Sequence, residues 1–462
     1  MNAIVFSAVW GVIMMLGGVV FKRSSLAKYM GIAGIILLLI LNLLEFSGKF
    51  KLPVDSRGML RFDNFSLHFN TIAFGCTLIY FLLNGSDIEK VGKNVSEYFA
   101  LIFFVLCGIS IASSFNTLLL LFLGIEIMSI PQYILTGSDK RNLKSNEAAL
   151  KYFLMGAFST GIMMLGIALI YGGNASGSFY IDAISLGTGK LPVLIAAGLV
   201  LMVVAMSFKI SAAPFHFWTP DVYDGAPTVF TSFMATVVKV AGFIAFIRLF
   251  RNSFGAMQQQ WQVLIVIITA ATLLIGNLTA VFQQSVKRML AYSSIAQAGF
   301  MLFALFALNN TAMEGLLLYA AAYSIASIGL FGLLVKMNDY SVDGFNGLSK
   351  LHPVAAFAAT IFLLSLTGIP LTAGFTAKFW MLLAALKNGH HLWLVIFAVI
   401  CAAISAFYYF RVIQAIYFKE PSPGVNHQMV ITPGFNFLMI GMTAIIIIIG
   451  ILPGLVVDWL WY

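Results

Sequence analysis

The chain has 462 residues, 61% of them hydrophobic and 9% charged, against about 45–50% apolar and about 25% charged in soluble domains. That composition excludes a soluble fold, and the long unbroken apolar runs exclude a transmembrane barrel, whose strands alternate over about ten residues. The net charge of +9, from 26 basic and 17 acidic residues, is dispersed along the chain, which fits membrane orientation signals and excludes nucleic-acid binding.

In chain order, the apolar runs predict fourteen membrane spans: 2–21, 29–47, 65–84, 97–114, 116–135, 147–172, 192–218, 226–248, 261–282, 289–308, 314–336, 353–383, 392–417 and 435–460. The first is followed, not preceded, by Lys22, Arg23 and Lys28, the reverse of a cleavable signal peptide, so it is read as a retained helix. The long breaks, 48–64, 173–191, 249–260, 337–352 and 418–434, leave no extramembrane domain of independent size. The expected fold class is an all-α polytopic membrane protein.

Orientation follows the basic residues. With the N-terminus outside, thirteen of them, among them Lys140, Arg141, Lys144, Lys287 and Arg288, face the cytoplasm, and eight, among them Lys49, Lys51, Arg57, Arg61, Lys190 and Arg248, face away. Both termini are therefore expected outside.

Lys151, Lys209, Lys239, Lys378 and Arg411, with one acid, Glu126, fall within the predicted spans. A charge near a helix centre costs about 2.5–3.5 kcal/mol to insert, so each must be paired, hydrated or neutral. Two spans are also broken. The seventh has Pro214 five residues after Lys209, and the twelfth has Gly368, Pro370 and Gly374 ahead of Lys378. Proline removes a donor that lipid cannot replace, so such breaks persist where they are enclosed by protein or line a hydrated cavity. Interrupted helices at the seventh and twelfth places suggest two inverted five-helix repeats, spans 4–8 and 9–13. The implied organisation is a three-helix segment 1–96, a first repeat 97–248, a second repeat 261–417 and a C-terminal helix 435–460.

Glu126 lies about 15 Å from either end of its span and cannot snorkel to water. A protonated acid bonded to a neighbouring helix is the bland alternative to a charge relay. Lys239 is about 20 Å into its helix, equally central. Lys209 and Lys378 could instead donate to carbonyls freed by the breaks, Lys151 could snorkel from its span end, and His216 could either relay protons or stabilise the break. Arg411 beside Tyr408 and Tyr409 reads as an interfacial anchor, and Lys287 and Arg288 as positive-inside anchors. Cys76, Cys107 and Cys401 are isolated in apolar runs, which argues against metal, iron–sulfur or haem sites in this chain.

Four strings carry a family resemblance: F-K-I-S-A-A-P-F-H-F-W-T-P-D-V-Y-D-G-A-P-T at 208–228, L-F-L-G-I-E-I-M-S-I-P-Q-Y in span five, K-R-M-L-A-Y-S-S-I-A-Q-A-G-F at span ten, and L-S-L-T-G-I-P-L-T-A-G-F-T-A-K-F-W in span twelve. They resemble the antiporter-like membrane subunits of NADH:quinone oxidoreductase, respiratory complex I, over about residues 100–415. Within that family the likeness is greatest to the branch with fourteen spans, no long lateral helix and lysine rather than glutamate at 378. The resemblance implies a proton-translocating subunit in a bacterial plasma membrane. In it Glu126 is the acid of span five, Lys209 its partner, Lys239 the central lysine and Lys378 the terminal lysine, with Lys151 and His216 as further members of the polar axis. Leu371, where a second proline often follows Pro370, and Asp224, where glutamate is usual, depart from the pattern. Discharging or withdrawing Glu126 would loosen the hold of Lys209 on its proton. The resemblance further implies no cofactor in this chain, with NADH, FMN, iron–sulfur clusters and quinone in partner subunits. It also implies contacts with lipid and with neighbouring antiporter-like and small membrane subunits. A subunit of a multi-subunit cation/proton antiporter, a stand-alone secondary transporter and a scaffold without transport remain as alternatives.

Overall fold

The structure is a computed structural model that describes residues 1–20, 24–54, 56–184, 192–389, 391–421 and 429–458. Lys22 and Arg23, read above as following the first span, Lys190, used for orientation, and the last residues of the 435–460 helix lie outside the described residues.

The helices are α1 (Asn2–Val20), α2 (Ser24–Phe46), α3 (Asn64–Asn84), α4 (Val95–Ser114), α5 (Leu118–Thr136), α6 (Leu143–Gly173), α7 (Val193–Lys209), α8 (Trp218–Gly225), α9 (Thr228–Phe233), α10 (Lys239–Leu249), α11 (Gln258–Val281), α12 (Val286–Ala307), α13 (Asn310–Lys336), α14 (Leu348–Leu351), α15 (Pro353–Thr367), α16 (Ala373–Lys387), α17 (Leu392–Phe418), α18 (Pro433–Ile451) and α19 (Gly454–Val457). Among the described residues there is no strand, only three isolated bridges between loop segments. Each of the fourteen expected spans coincides with one helix or a consecutive pair. The protein is thus an all-α, multi-pass membrane protein with its seventh and twelfth spans broken.

Local chemistry sets the helix starts. Asp63, Thr117, Asn142, Ser285, Asn309 and Thr432 each accept a first-turn amide at the head of α3, α5, α6, α12, α13 and α18, satisfying donors that an apolar surround would leave bare. Burial then orders the bundle. α12 and α13 are enclosed on nearly all sides, whereas α2, α6, α17 and α18 leave most of their surface outside, which makes α12 and α13 the core against which both broken helices pack.

Two connections differ from the expectation. Span eight is not uniform α-helix, because Met234–Val238 forms a π turn between α9 and α10. The expected loop 249–260 is instead wound helically, as a π turn at Phe250–Phe254 and a 3₁₀ turn at Gly255–Met257. Its aromatic spacing explains this. The Phe250 ring packs 5.1 Å from Phe246, 5.4 Å from Phe254 and 4.9 Å from Trp261, and Trp261 Nε1 donates to Phe254 O at 3.0 Å, so the connection buries apolar area that a polar loop lacks.

Candidate functional site

The first break begins where α7 ends at Lys209. Groups freed by it find partners across the fold: Phe208 O accepts Trp218 Nε1 at 3.1 Å, and the Ala213 amide donates to Thr272 Oγ1 of α11 at 2.9 Å. Lys209 Nζ donates to Ser129 Oγ of α5 at 3.0 Å, and that hydroxyl donates to Ile125 O at 2.5 Å. Glu126 is on the same helix, three residues from Ser129. Its Oε1 is enclosed and has no hydrogen-bond partner among the described residues, and no ion pair joins Glu126 to Lys209 within 4.0 Å. The predicted acid and lysine are therefore neighbours through Ser129 rather than a closed salt bridge. His216 is buried inside the break with Nδ1 unpartnered among the described residues and its ring 4.8 Å from Phe217.

Lys239 follows the π turn directly. It is 2% exposed, and its Nζ donates to Ser294 O at 2.7 Å and Ser294 Oγ at 3.0 Å on α12. The wide turn before it frees carbonyls, one of which, Ala235 O, accepts Tyr323 Oη of α13 at 2.7 Å.

At the second break α15 stops at Thr367, where Gly368 takes φ 91° and its amide returns to Leu364 O and Ser365 O. The carbonyls of Leu366 and Thr367 accept Lys378 Nζ at 2.7 and 2.9 Å, and Nζ lies 4.6 Å from the centre of the Phe300 ring. Leu371 has φ 71°, a left-handed conformation that proline, fixed near −65°, cannot take. The departure noted at this position thus matches the backbone.

Uncharged residues complete the region, and no charge marked them in the sequence. Gln297 Nε2 donates to the same Leu366 carbonyl at 2.9 Å and to Tyr409 Oη at 3.2 Å, while its Oε1 accepts Tyr319 Oη and Tyr409 Oη bonds Ser293. Ser293, Ser294 and Gln297 lie on α12, so one buried helix carries hydroxyl and amide groups from Lys239 to Lys378. A small cavity with room for about one water adjoins them, lined by Gln297, Tyr319, Tyr323 and Ser365. The run Y-S-S-I-A-Q in the sequence was the available signal.

Four basic residues stand differently from their expectations. Lys151 is outside the interior axis, in an ion cluster at a helix end with Glu147 at 2.7 Å and Asp221 at 2.9 Å, and Arg288 holds Asp221 at 3.0 Å. Lys287, expected as a surface anchor, is buried and donates to Asp224 O and Ala226 O at 2.8 and 2.7 Å, closing the C-terminus of α8. Arg411 is half-buried and donates to Val281 O and Gln283 O beyond α11. Tyr408 and Tyr409 are fully buried rather than interfacial, Tyr408 Oη donating to Asn277 Oδ1 at 3.1 Å, because their hydroxyls have partners only inside the bundle. Arg248, counted as a span-end charge, is likewise buried, with Nη1 2.7 Å from Asp63 Oδ2 and Nε 2.8 Å from Phe115 O. Among the described residues no three His, Cys, Asp or Glu side chains gather as a metal site.

Taken as chemistry, the site is a line of amines, hydroxyls and one carboxyl in an apolar interior, groups able to hold and pass protons. The family described as "NADH:quinone oxidoreductase/Mrp antiporter, TM" matches residues 115–405. NADH-quinone oxidoreductase subunit N of Cytophaga hutchinsonii is 38% identical over 99% of both chains. Subunit N 1 of Solibacter usitatus is 35% identical over 99% of this chain and 94% of its own. A chain of respiratory complex I from Thermus thermophilus superposes with TM-score 0.84 at 31% identity, covering 99% of this chain and 98% of that one. A chain of the Mrp complex from Dietzia sp. shares the fold, with TM-score 0.88 at 19% identity over 99% of this chain and 96% of its own.

Proposed function

Because the chain belongs to the NADH:quinone oxidoreductase/Mrp antiporter transmembrane family, we propose that it is the subunit-N-type proton-translocating membrane subunit of a bacterial NADH:quinone oxidoreductase. The observation that carries this reading is the placement of three lysines, Lys209, Lys239 and Lys378, each beside a helix break or π turn and each donating to hydroxyl or carbonyl oxygens of the interior. The family model covers both assemblies, but the full-length subunit-N relatives, at 38% and 35% identity, favour this one over a cation/proton antiporter, whose solved chain is 19% identical.

In this mechanism Glu126 acts on Lys209 through Ser129. A charged Glu126 favours the ammonium of Lys209, and protonation or withdrawal of the acid releases that hold. The proton then passes by His216 to Lys239, and along Ser294 and Gln297 of α12 and the tyrosine hydroxyls of α13 and α17 to Lys378. Lys151 gates the helix-end cluster through Asp221, which also engages Arg288. The repeats 97–248 and 261–417 each supply one broken helix, and the 1–96 segment and the 435–460 helix flank them. Both termini lie outside the cytoplasm. NADH, FMN, iron–sulfur clusters and quinone belong to partner subunits, and neighbouring antiporter-like and small membrane subunits pack against the exposed faces of α5, α6 and α17.

NADH-driven proton uptake by membrane vesicles, measured beside the redox rate, tests the relay. Lys239→Met and Glu126→Gln are expected to assemble and to lose pumping, since Met and Gln keep bulk but cannot carry the charge. Full pumping by both assembled variants would sink the relay and leave a scaffold.

A further inference from the structure

We propose that Tyr80, Asn84 and Asp87 at the end of α3, together with Lys336 of α13 and Ser232 of α9, form a separate proton-access branch leading from the helix-end surface to Lys239. The proposal rests on the reading of Lys239 as a proton carrier and gives the 1–96 segment, which contains neither repeat, a part in transport.

Asp87 sits in the turn after α3, its amide bonded to Asn84 O at 2.9 Å. Its side chain is almost wholly buried, yet two lysines reach it: Lys336 Nζ at 2.6 Å, itself largely buried, and Lys90 Nζ at 2.8 Å, which is exposed. The carboxylate is therefore one side chain from the surface. One step inward stands Asn84, fully buried, with both Nδ2 and Oδ1 lacking a hydrogen-bond partner among the described residues. A helical turn deeper, the Tyr80 hydroxyl is also fully buried and unpartnered, and so is Ser232 Oγ, next to Phe233, whose ring lies 5.4 Å from that of Tyr80.

Tyr80 and Asn84 are four residues apart on α3 and so share one face. The opposing face of α13 offers Gly332 and Lys336 at the same spacing. A Cβ at Gly332 would collide with Leu83 and lie 3.4 Å from Asn84 Oδ1, so glycine there lets the two helices close over the polar groups. Beyond Ser232 the chain enters the π turn Met234–Val238 and then reaches Lys239.

Packing alone gives no reason for these side chains. Each buried polar group left without a partner is destabilising, and leucine at 84 would fill similar space without that cost. Water satisfies such groups where two to four polar atoms converge, and a file of water is also what moves a proton. The Asp87 carboxylate, kept ionised by Lys336 and Lys90, orients water at the mouth of the file. Water oriented by Asn84, Tyr80 and Ser232 carries the proton inward, and the Lys239 amine takes it up. In the orientation proposed above, α3 and α13 both end at the cytoplasmic face, so the branch is an uptake path from that side.

The experiment uses the assembled complex in vesicles, with Lys239→Met as reference and subunit content and redox rate as checks on assembly. Asn84→Leu is expected to keep assembly and to lose proton uptake to the level of Lys239→Met. If the cluster is only structural, Asn84→Leu removes two unpaired buried atoms, retains full pumping and raises thermal stability, which overturns the branch while the loss in Lys239→Met leaves the relay standing. Tyr80→Phe removes one oxygen and no bulk, and decides the matter should Asn84→Leu fail to assemble. Loss of pumped protons per NADH supports the branch, and unchanged pumping overturns it. Full pumping by Lys239→Met overturns branch and relay together.

Discussion

At the first break Lys209 is half-buried and holds one hydroxyl, Ser129 Oγ, beside a carboxyl that has no fixed partner. At the second, Lys378 is enclosed, holds two carbonyls and faces the Phe300 ring. Each break carries one left-handed residue that is not glycine, Ser211 at φ 63° in the first and Leu371 at φ 71° in the second. The first leaves the Ser211 hydroxyl unpartnered among the described residues, whereas the freed Leu366 and Thr367 carbonyls of the second both accept Lys378. The lysine of the first break is thus held by one hydroxyl and that of the second by two carbonyls.

The comparison is sharpest at Gln297, which ties the Leu366 carbonyl to two tyrosines. Gln297→Leu strands the Tyr319 hydroxyl in the core, while Tyr409 keeps Ser293, and is expected to destabilise by about 1–3 kcal/mol, read as a lower thermal midpoint of the purified complex. An unchanged midpoint would mean that the second break is not held by this network. Next in size, Gly368→Ala forces a Cβ into the left-handed region, where a Cβ lies 3.0 Å from Lys378 Cδ, and should cost about 1–2 kcal/mol. The same assay would show no shift if the turn can relax. The smallest effect has the opposite sign. Ser211→Gly relieves a left-handed serine and removes a buried hydroxyl, and should stabilise by about 1 kcal/mol while weakening the coupling of proton uptake to the redox rate. A destabilised Ser211→Gly variant would remove the distinction between the breaks.

Charge in an apolar run is legible without a fold, because the cost of inserting it is local and large. Glu126, Lys209, Lys239 and Lys378 stood out for that reason, and proline and glycine marked both breaks because their backbone chemistry is local too. Gln297, Tyr319 and Tyr409 were not legible, since an uncharged polar residue in a span is common and gains meaning only from what it meets. Lys287 and Arg248 misled for the converse reason. At a span end a basic residue reads as an anchor, and only the arrival of Asp224 O or Asp63 beside it turns it into a buried cap.

The sequence by itself therefore determined the solvent, the number of spans, the broken helices and the four interior charges, all consequences of hydropathy, length and backbone stereochemistry read over a few residues. Tertiary structure alone decided the partners. Ser129 rather than Glu126 receives Lys209, Ser294 receives Lys239, Lys151 leaves the axis for Asp221, and α3 brings Asn84 against Gly332. Helical periodicity fixes which residues share a face, but which helix that face meets depends on packing among fourteen spans far apart in the chain, and in an apolar interior the partner settles whether a polar group is a cost or a function.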